Sequence, residues 1–302
     1  MLISPSDHFA LHEVIATDSM DLRRFIDSVT EIAVQTGCEV YWRGQCDESW
    51  GVRSSLARLT NSPAGLKDVD LKEAESQLVN EAKSWVTSTF AKPANDLEWL
   101  ALLQHHGIPT RLIDFTPDPL IATFFAVETL DSIEGRLFGI AVPRAEKKLL
   151  RADEAGFEID NVSLGKVVLW KPRPQISPRL AAQKGVFALG KLPSTIPARH
   201  VYDPIPNQRL MTRSEVVSVM SIPLYFVDSS RGAKRRAQNM PSCFTAKIHI
   251  DKASVREQLS KRSRRGALRP DGSPINHASC YPDVEGMAQN SIYLKRIRGS
   301  FR

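Results

Sequence analysis

The sequence predicts an α+β fold, with a mixed or antiparallel sheet core and flanking helices. Three observations predict it. Several stretches carry apolar residues at helical spacing, and short β-rich apolar runs stand between them without the regular strand–helix alternation of a parallel sheet. The composition, 42% apolar and 25% charged over 302 residues, is that of an ordinary globular chain able to bury a sizeable core. No internal repeat and no low-complexity segment interrupts it.

Taken in order, Asp18 or Ser19 caps a helix in which Leu22, Phe25, Ile26, Val29 and Ile32 form one face, and Gly37 ends it. Residues 39–42 read as a short strand that delivers Arg43 and Gly44 into a loop. Asp68 opens a long helical pattern through Leu71, Ala74, Leu78, Ala82 and Trp85. Asn95 or Asp96 caps the next helix, residues 97–106, and Gly107 terminates it. A strand is expected at residues 111–114. Pro117 and Pro119 then start a helix through Leu120, Phe124 and Val127, because proline fits a first turn. Further strands are expected at 137–142, 166–170, 216–221 and 242–250, and helices at 253–263 and 284–296. Pro172, Pro174 and Pro178 mark a loop within the fold, not a linker. Trp50, Trp85, Trp99, Phe124 and Phe125 are expected in the core.

The bulk properties exclude several classes. No apolar run approaches the roughly 20 residues that cross a bilayer, and residues 1–12 lack a basic stretch followed by an apolar one, so neither a membrane span nor a signal peptide is expected. Cys38, Cys46, Cys243 and Cys280 are scattered, with no C-x-x-C pair. This spacing predicts neither a zinc site nor a disulfide framework, and it fits a reduced, cytoplasmic protein with no metal. Neither G-x-G-x-x-G nor G-x-x-x-x-G-K-[ST] occurs, so Rossmann and P-loop nucleotide binding are not supported. Charge is uneven. Residues 1–229 carry 24 Lys and Arg against 29 Asp and Glu, a net of −5, whereas residues 230–302 carry 16 against 5, a net of +11. That asymmetry points to an anionic partner, nucleic acid before an acidic protein. Arg235, Arg236, Lys261, Arg262, Arg264 and Arg265 are the clustered cations that would hold it.

Three segments concentrate side chains capable of chemistry. The first is Tyr41-Trp42-Arg43-Gly44-Gln45, followed by Trp50, Arg53 and Arg58. The second is Gln104-His105-His106-Gly107-Ile108-Pro109-Thr110-Arg111-Leu112-Ile113-Asp114-Phe115-Thr116, running into Pro119-Leu120-Ile121-Ala122-Thr123-Phe124-Phe125-Ala126. The third is Arg179-Leu180-Ala181-Ala182-Gln183-Lys184-Gly185-Val186-Phe187. An arginine forks onto phosphate with two charge-assisted hydrogen bonds, a glycine beside it permits close backbone approach, and aromatic rings stack on planar bases. A plainer reading stands beside this one. Arg43 and Arg111 are also placed to pair with Asp114 inside the fold, and His105 to sit at a helix end whose dipole favours its charged form.

These segments, in this order, resemble the motifs of FRG-domain proteins, and Tyr281-Pro282-Asp283-Val284-Glu285-Gly286 is similar to the family's C-terminal element. His106 stands where the family usually has an aromatic residue, and Phe115 where it usually has tryptophan. The resemblance implies a single FRG-type domain over residues 1–302, with core motifs at 39–187 and a basic portion at 230–302. More distantly the layout resembles the ADP-ribosyltransferase fold, which implies NAD as substrate. Tyr41, Arg43, Gly44, Gln45, Arg111, Phe115 and Thr116 would then bind it, and Gln183 or Glu215, with His105 and Asp114, would serve catalysis. On that resemblance the acceptor is a macromolecule, RNA or DNA before protein, and the setting a bacterial toxin or anti-phage effector with an antitoxin or other regulatory protein. Two alternatives remain open: a nucleotide- or nucleic-acid-binding module without turnover, and a hydrolase or nuclease working through His105 and Asp114.

Overall fold

The computed structural model describes residues 5–10, 12–59, 65–86, 92–143, 148–150, 167–193, 211–227, 241–261 and 273–290. Among them the helices are α1 (Pro5–Ala10), α2 (Ser19–Thr36), α3 (Ser55–Arg58), α4 (Asp68–Trp85), α5 (Asp96–His105), α6 (Pro119–Val127), α7 (Pro178–Ala182), α8 (Arg213–Val219), α9 (Lys252–Ser260), α10 (His277–Cys280) and α11 (Val284–Asn290). The strands are β1 (Glu13–Ala16), β2 (Cys38–Gln45), β3 (Ile113–Phe115), β4 (Gly135–Pro143), β5 (Lys148–Leu150), β6 (Val167–Trp170), β7 (Val186–Gly190), β8 (Tyr225–Phe226) and β9 (Ser242–Ile248). The expected α+β class is what these elements form.

Helix ends follow local chemistry. Asp18 caps α2 by accepting from the Asp21 N–H, and Gly37 closes it at φ 67°. Asn95 caps α5 through the Glu98 N–H, and Asp118 caps α6, whose first residue is Pro119. Three expectations are corrected. Arg43 and Gly44 lie within β2, paired with Phe138 and Leu137 of β4, rather than in a loop. Residues 216–221 belong mostly to α8 rather than to a strand, because Thr212 and Glu215 form a reciprocal capping box that starts a helix there. Trp50 and Trp85 are 45% and 76% exposed, so they lie outside the core, whereas Trp99 and Phe124 are buried.

The strands form two sheets. The first runs β1–β9–β4–β2, with β8 also on β9, and the second runs β3–β7–β6–β5. Both mix parallel and antiparallel pairs. Side-chain alternation divides the core. Val167 and Leu169 of β6, with Val186 and Ala188 of β7, meet Tyr41, Phe138 and Ile140 between the sheets. Val168, Trp170, Phe187 and Leu189 face the other way, onto Val79 of α4 and Trp99 and Leu103 of α5. Beyond the first sheet, Leu137, Ala141 and Ala246 pack against α2, α6 and α9 through Phe25, Val29, Ala122, Ala126 and Val255. The order of layers is therefore helices, sheet, sheet, helices. No helix among the described residues is long and apolar enough to cross a membrane.

Candidate active-site cleft

The two sheets touch where Trp42 and Thr116 exchange backbone hydrogen bonds, Trp42 N–H to Thr116 O at 2.7 Å and Thr116 N–H to Trp42 O at 2.9 Å. That bridge sets the end of β2 beside the end of β3, and a cleft of about 410 Å³ opens there, within the size range of small-molecule sites. Its floor is Arg43, Gly44, Gln45 and Cys46 of the β2 end with Asp114, Phe115 and Thr116. One wall is α6, through Ala122, Phe125 and Glu128, and another is α5, through Gln104 and His105. The segment from Arg179 to Phe187 and the ring of Tyr281 complete it.

Of the residues singled out by the sequence, Arg43, Gly44, Gln45, His105, Asp114, Phe115, Thr116 and Gln183 line this one cleft. Arg43 donates through Nη1 to the Asp114 carbonyl at 2.9 Å and stands 3.7 Å from its carboxylate. That carboxylate is held instead by Gln104, whose amide reaches both oxygens at 2.8 Å. Arg43 Nε is buried without a hydrogen-bond partner. Burial lowers the pKa of the Arg43 guanidinium; the Asp114 charge opposes that effect and the Arg58 charge adds to it. Gln45 donates to the Gly51 carbonyl at 2.6 Å, and Gln183 to the Cys280 carbonyl at 2.9 Å. His105 Nδ1 shares a 2.9 Å hydrogen bond with Ser177 Oγ, and burial, then the neighbouring Arg179 charge, lower its pKa. Gly44 makes its close approach to α6 rather than to a ligand, since a Cβ there would lie 1.8 Å from the Ala122 carbonyl oxygen.

Three of the named residues are not brought to the cleft. Tyr41 shares the strand face of Arg43 but is buried between the sheets, and its hydroxyl donates to Glu39 at 2.8 Å. Arg111 turns to α4, pairing with Glu75 at 2.6 Å and standing 3.8 Å from Asp68. Glu215 is the buried capping residue of α8. Among the proposed nucleic-acid contacts, Lys261 pairs with Glu257 at 2.7 Å on an exposed surface; Arg235, Arg236, Arg262, Arg264 and Arg265 lie outside the described residues.

The cleft also contains residues to which the sequence assigned no site role. Arg58 and Trp50 stand at its rim. Glu128 accepts from the Tyr281 hydroxyl at 3.0 Å and shares a 3.1 Å hydrogen bond with His277. Arg179 grips Asp283 with two nitrogens, Nη2 at 2.8 Å from Oδ1, and lies over the Tyr281 ring at 5.2 Å. Burial first, then the charge of Glu128, raises the Tyr281 phenol, so it remains protonated and can donate. The 281–286 element was a visible signal in the sequence, but its partners on α6 and α7 are set by tertiary contacts alone.

No curated protein and no solved structure matches the chain. The family model of the FRG domain matches residues 38–134, which span β2, α5, β3 and α6 and so the floor and two walls of the cleft. Over residues 38–134 the chain is similar to the FRG domain.

Proposed function

We propose that the cleft binds NAD through its phosphates and that the chain transfers ADP-ribose from it to an anionic macromolecule, RNA or DNA before protein. The observation that carries this reading is Arg43, a mostly buried guanidinium with an unpartnered Nε, facing the cleft beside Arg58 while Gln104 holds the neighbouring carboxylate. A desolvated cation so placed favours an anionic ligand, and phosphate matches its fork. Phe115, Phe125 and Tyr281 offer rings for a base. Glu128 is the glutamate within this cleft, a role that Glu215 cannot take from α8. In the transfer the bond from the ribose to nicotinamide breaks, and one forms from that ribose carbon to the acceptor, which gives up its proton. A carboxylate fixed near the ribose stabilises the positive charge that develops. The resemblance to FRG proteins supports a bacterial toxin or anti-phage effector, held in check by a regulatory partner.

A second reading, a nucleotide- or nucleic-acid-binding module without turnover, is favoured by one observation. Glu128 and Gln183 are both already engaged by the 277–281 segment. NAD labelled in its adenylate half, incubated with the protein and total RNA or lysate, separates the two: transfer supports the first reading, and saturable binding without transfer the second. Arg43→Ala is expected to lower NAD affinity about 10- to 100-fold, the range for a lost hydrogen bond between charged groups. It should leave the thermal melt close to wild type, and Arg43→Lys should restore part of the affinity. If the protein does not bind NAD, both dinucleotide readings are lost.

A further inference from the structure

We propose that His105, His106 and Glu285 form a binding site for a divalent transition-metal ion of the zinc class at the mouth of the cleft. The three residues each place one ligand atom so that all lie within 4.8 Å of one another. Two imidazoles and a carboxylate are the donor set of zinc, nickel or copper rather than of magnesium or calcium, which prefer oxygen alone. Tetrahedral zinc with bonds near 2.1 Å needs its ligand atoms roughly 3.4 Å apart, so the cluster must tighten by up to about 1.4 Å. His106 is exposed and can make that adjustment, and the exposed Glu285 carboxylate makes it by turning from its 3.0 Å pairing with Arg179, while His105 is fixed from behind.

That fixing is the second observation. Ser177 Oγ, on the buried N-cap residue of α7, engages His105 Nδ1 at 2.9 Å. This leaves Nε2 as the nitrogen available to a metal, with its ring orientation set, which is the arrangement that hydrogen-bonded ligand histidines use. Charge is the third. The nearby Arg179 is neutralised by its two-nitrogen grip on Asp283, so Arg179, Asp283 and Glu285 together carry a net −1. His106 is also the C-cap of α5, where the helix presents its negative end. Three protein ligands leave a fourth position open to water or a ligand, and His105 also lines the cleft. The ion would also tie the end of α5 to α11, two segments far apart in the chain.

The site stands independently of the NAD reading. The test is titration of zinc chloride into the chelator-treated full chain by calorimetry, with cobalt chloride absorption as a second readout. One zinc per chain is expected, with an intense visible cobalt band and no response to magnesium. His106→Ala and Glu285→Gln should each weaken zinc binding at least tenfold and remove the cobalt band. Both residues are exposed, so the fold, followed by circular dichroism, should be retained. His249→Ala, at the other exposed histidine–carboxylate pair, should bind zinc as wild type does. Absence of zinc binding, or zinc affinity unchanged in both ligand variants, overturns the site, as does an equal response to magnesium.

Discussion

Gly44 has no room for a side chain. A Cβ there would lie 1.8 Å from the Ala122 carbonyl oxygen and 2.6 Å from the Ala126 nitrogen, both backbone atoms of α6 that cannot rotate away. Gly44→Ala is therefore expected to push α6 off β2 and to cost about 3 kcal/mol or more, the upper range for overpacking. Gly37→Ala is the internal comparison. It meets nothing within 4 Å and carries only the strain of φ 67°, roughly 1 kcal/mol. Urea midpoints of the two variants measure the difference, and a Gly44→Ala midpoint at or above that of Gly37→Ala would refute the packing account. The same residues show how far single side chains can be read from sequence. Arg43, His105, Asp114, Phe115, Thr116 and Gln183 were legible because each sits in a dense motif, and the fold brings the motif segments to one cleft. Tyr41 belongs to the same motif, yet it lies two residues further from the strand end than Arg43 and is covered by the second sheet. Arg111 found its counter-ions, Glu75 and Asp68, on a helix that sequence proximity does not reveal; Asp114 was only three residues away and looked the better partner.

Elements built from strong local signals were read closely. Helices α2 and α4 were expected at their observed places, because caps and apolar spacing agree there. Helix α8 was misread because Val216, Val217 and Val219 favour a strand, while the deciding signal, threonine followed three residues later by glutamate, lies just upstream. The contact of Arg43 on β2 with Asp114 on β3 was legible, but most contacts between elements were not, and the clamp of α7 on the 277–290 segment is the clearest case. Arg179 holds Asp283 and Glu285, and Gln183 holds Cys280. The hydrogen bond from Arg179 is the largest of several effects that bring the Asp283 carboxyl from its ordinary 3.8 down to about 2. A carboxyl with a depressed folded pKa stabilises the fold fully above its unfolded value and loses that contribution as pH falls through the folded one. The clamp is thus at full strength above about pH 4 and weakens toward pH 2. Carboxyl NMR should place the Asp283 midpoint near 2 in the wild type and closer to 3.8 in Arg179→Ala, with faster amide exchange over 277–290 and none over β4. An unshifted Asp283 midpoint in that variant would sink the clamp.

At the scale of the whole molecule, the charge asymmetry decides where an anionic macromolecule can be held. Of the 16 Lys and Arg in residues 230–302, four lie among the described residues, and each has protein partners. Lys247 pairs with Glu134 at 2.5 Å and Arg256 with Asp131 at 2.6 Å. Lys252 is buried and donates to the carbonyls of Cys46, Thr129 and Leu130. Lys261 pairs with Glu257 across one helical turn. Buried or multiply bonded cations are not available to phosphate, but an exposed i,i+4 pair is worth only about 0.3–0.5 kcal/mol and yields readily to a stronger anion. Binding to polynucleotide would therefore rest on Lys261 and on the remaining twelve cations, Arg262, Arg264 and Arg265 among them. Each phosphate contact on a single strand adds about 0.7 to the slope of log affinity against log salt, because it releases condensed counterions. Replacing Lys261, Arg262, Arg264 and Arg265 by Ala should weaken binding of single-stranded RNA at low salt and reduce that slope by up to about 3. NAD binding should be unaffected, since Lys261 does not line the cleft and all four residues lie outside the three motif segments. Filter binding at two salt concentrations, wild type against the quadruple variant, measures both quantities. Equal affinity and equal slope in the two proteins would remove nucleic acid as the acceptor and leave a protein acceptor for the same cleft.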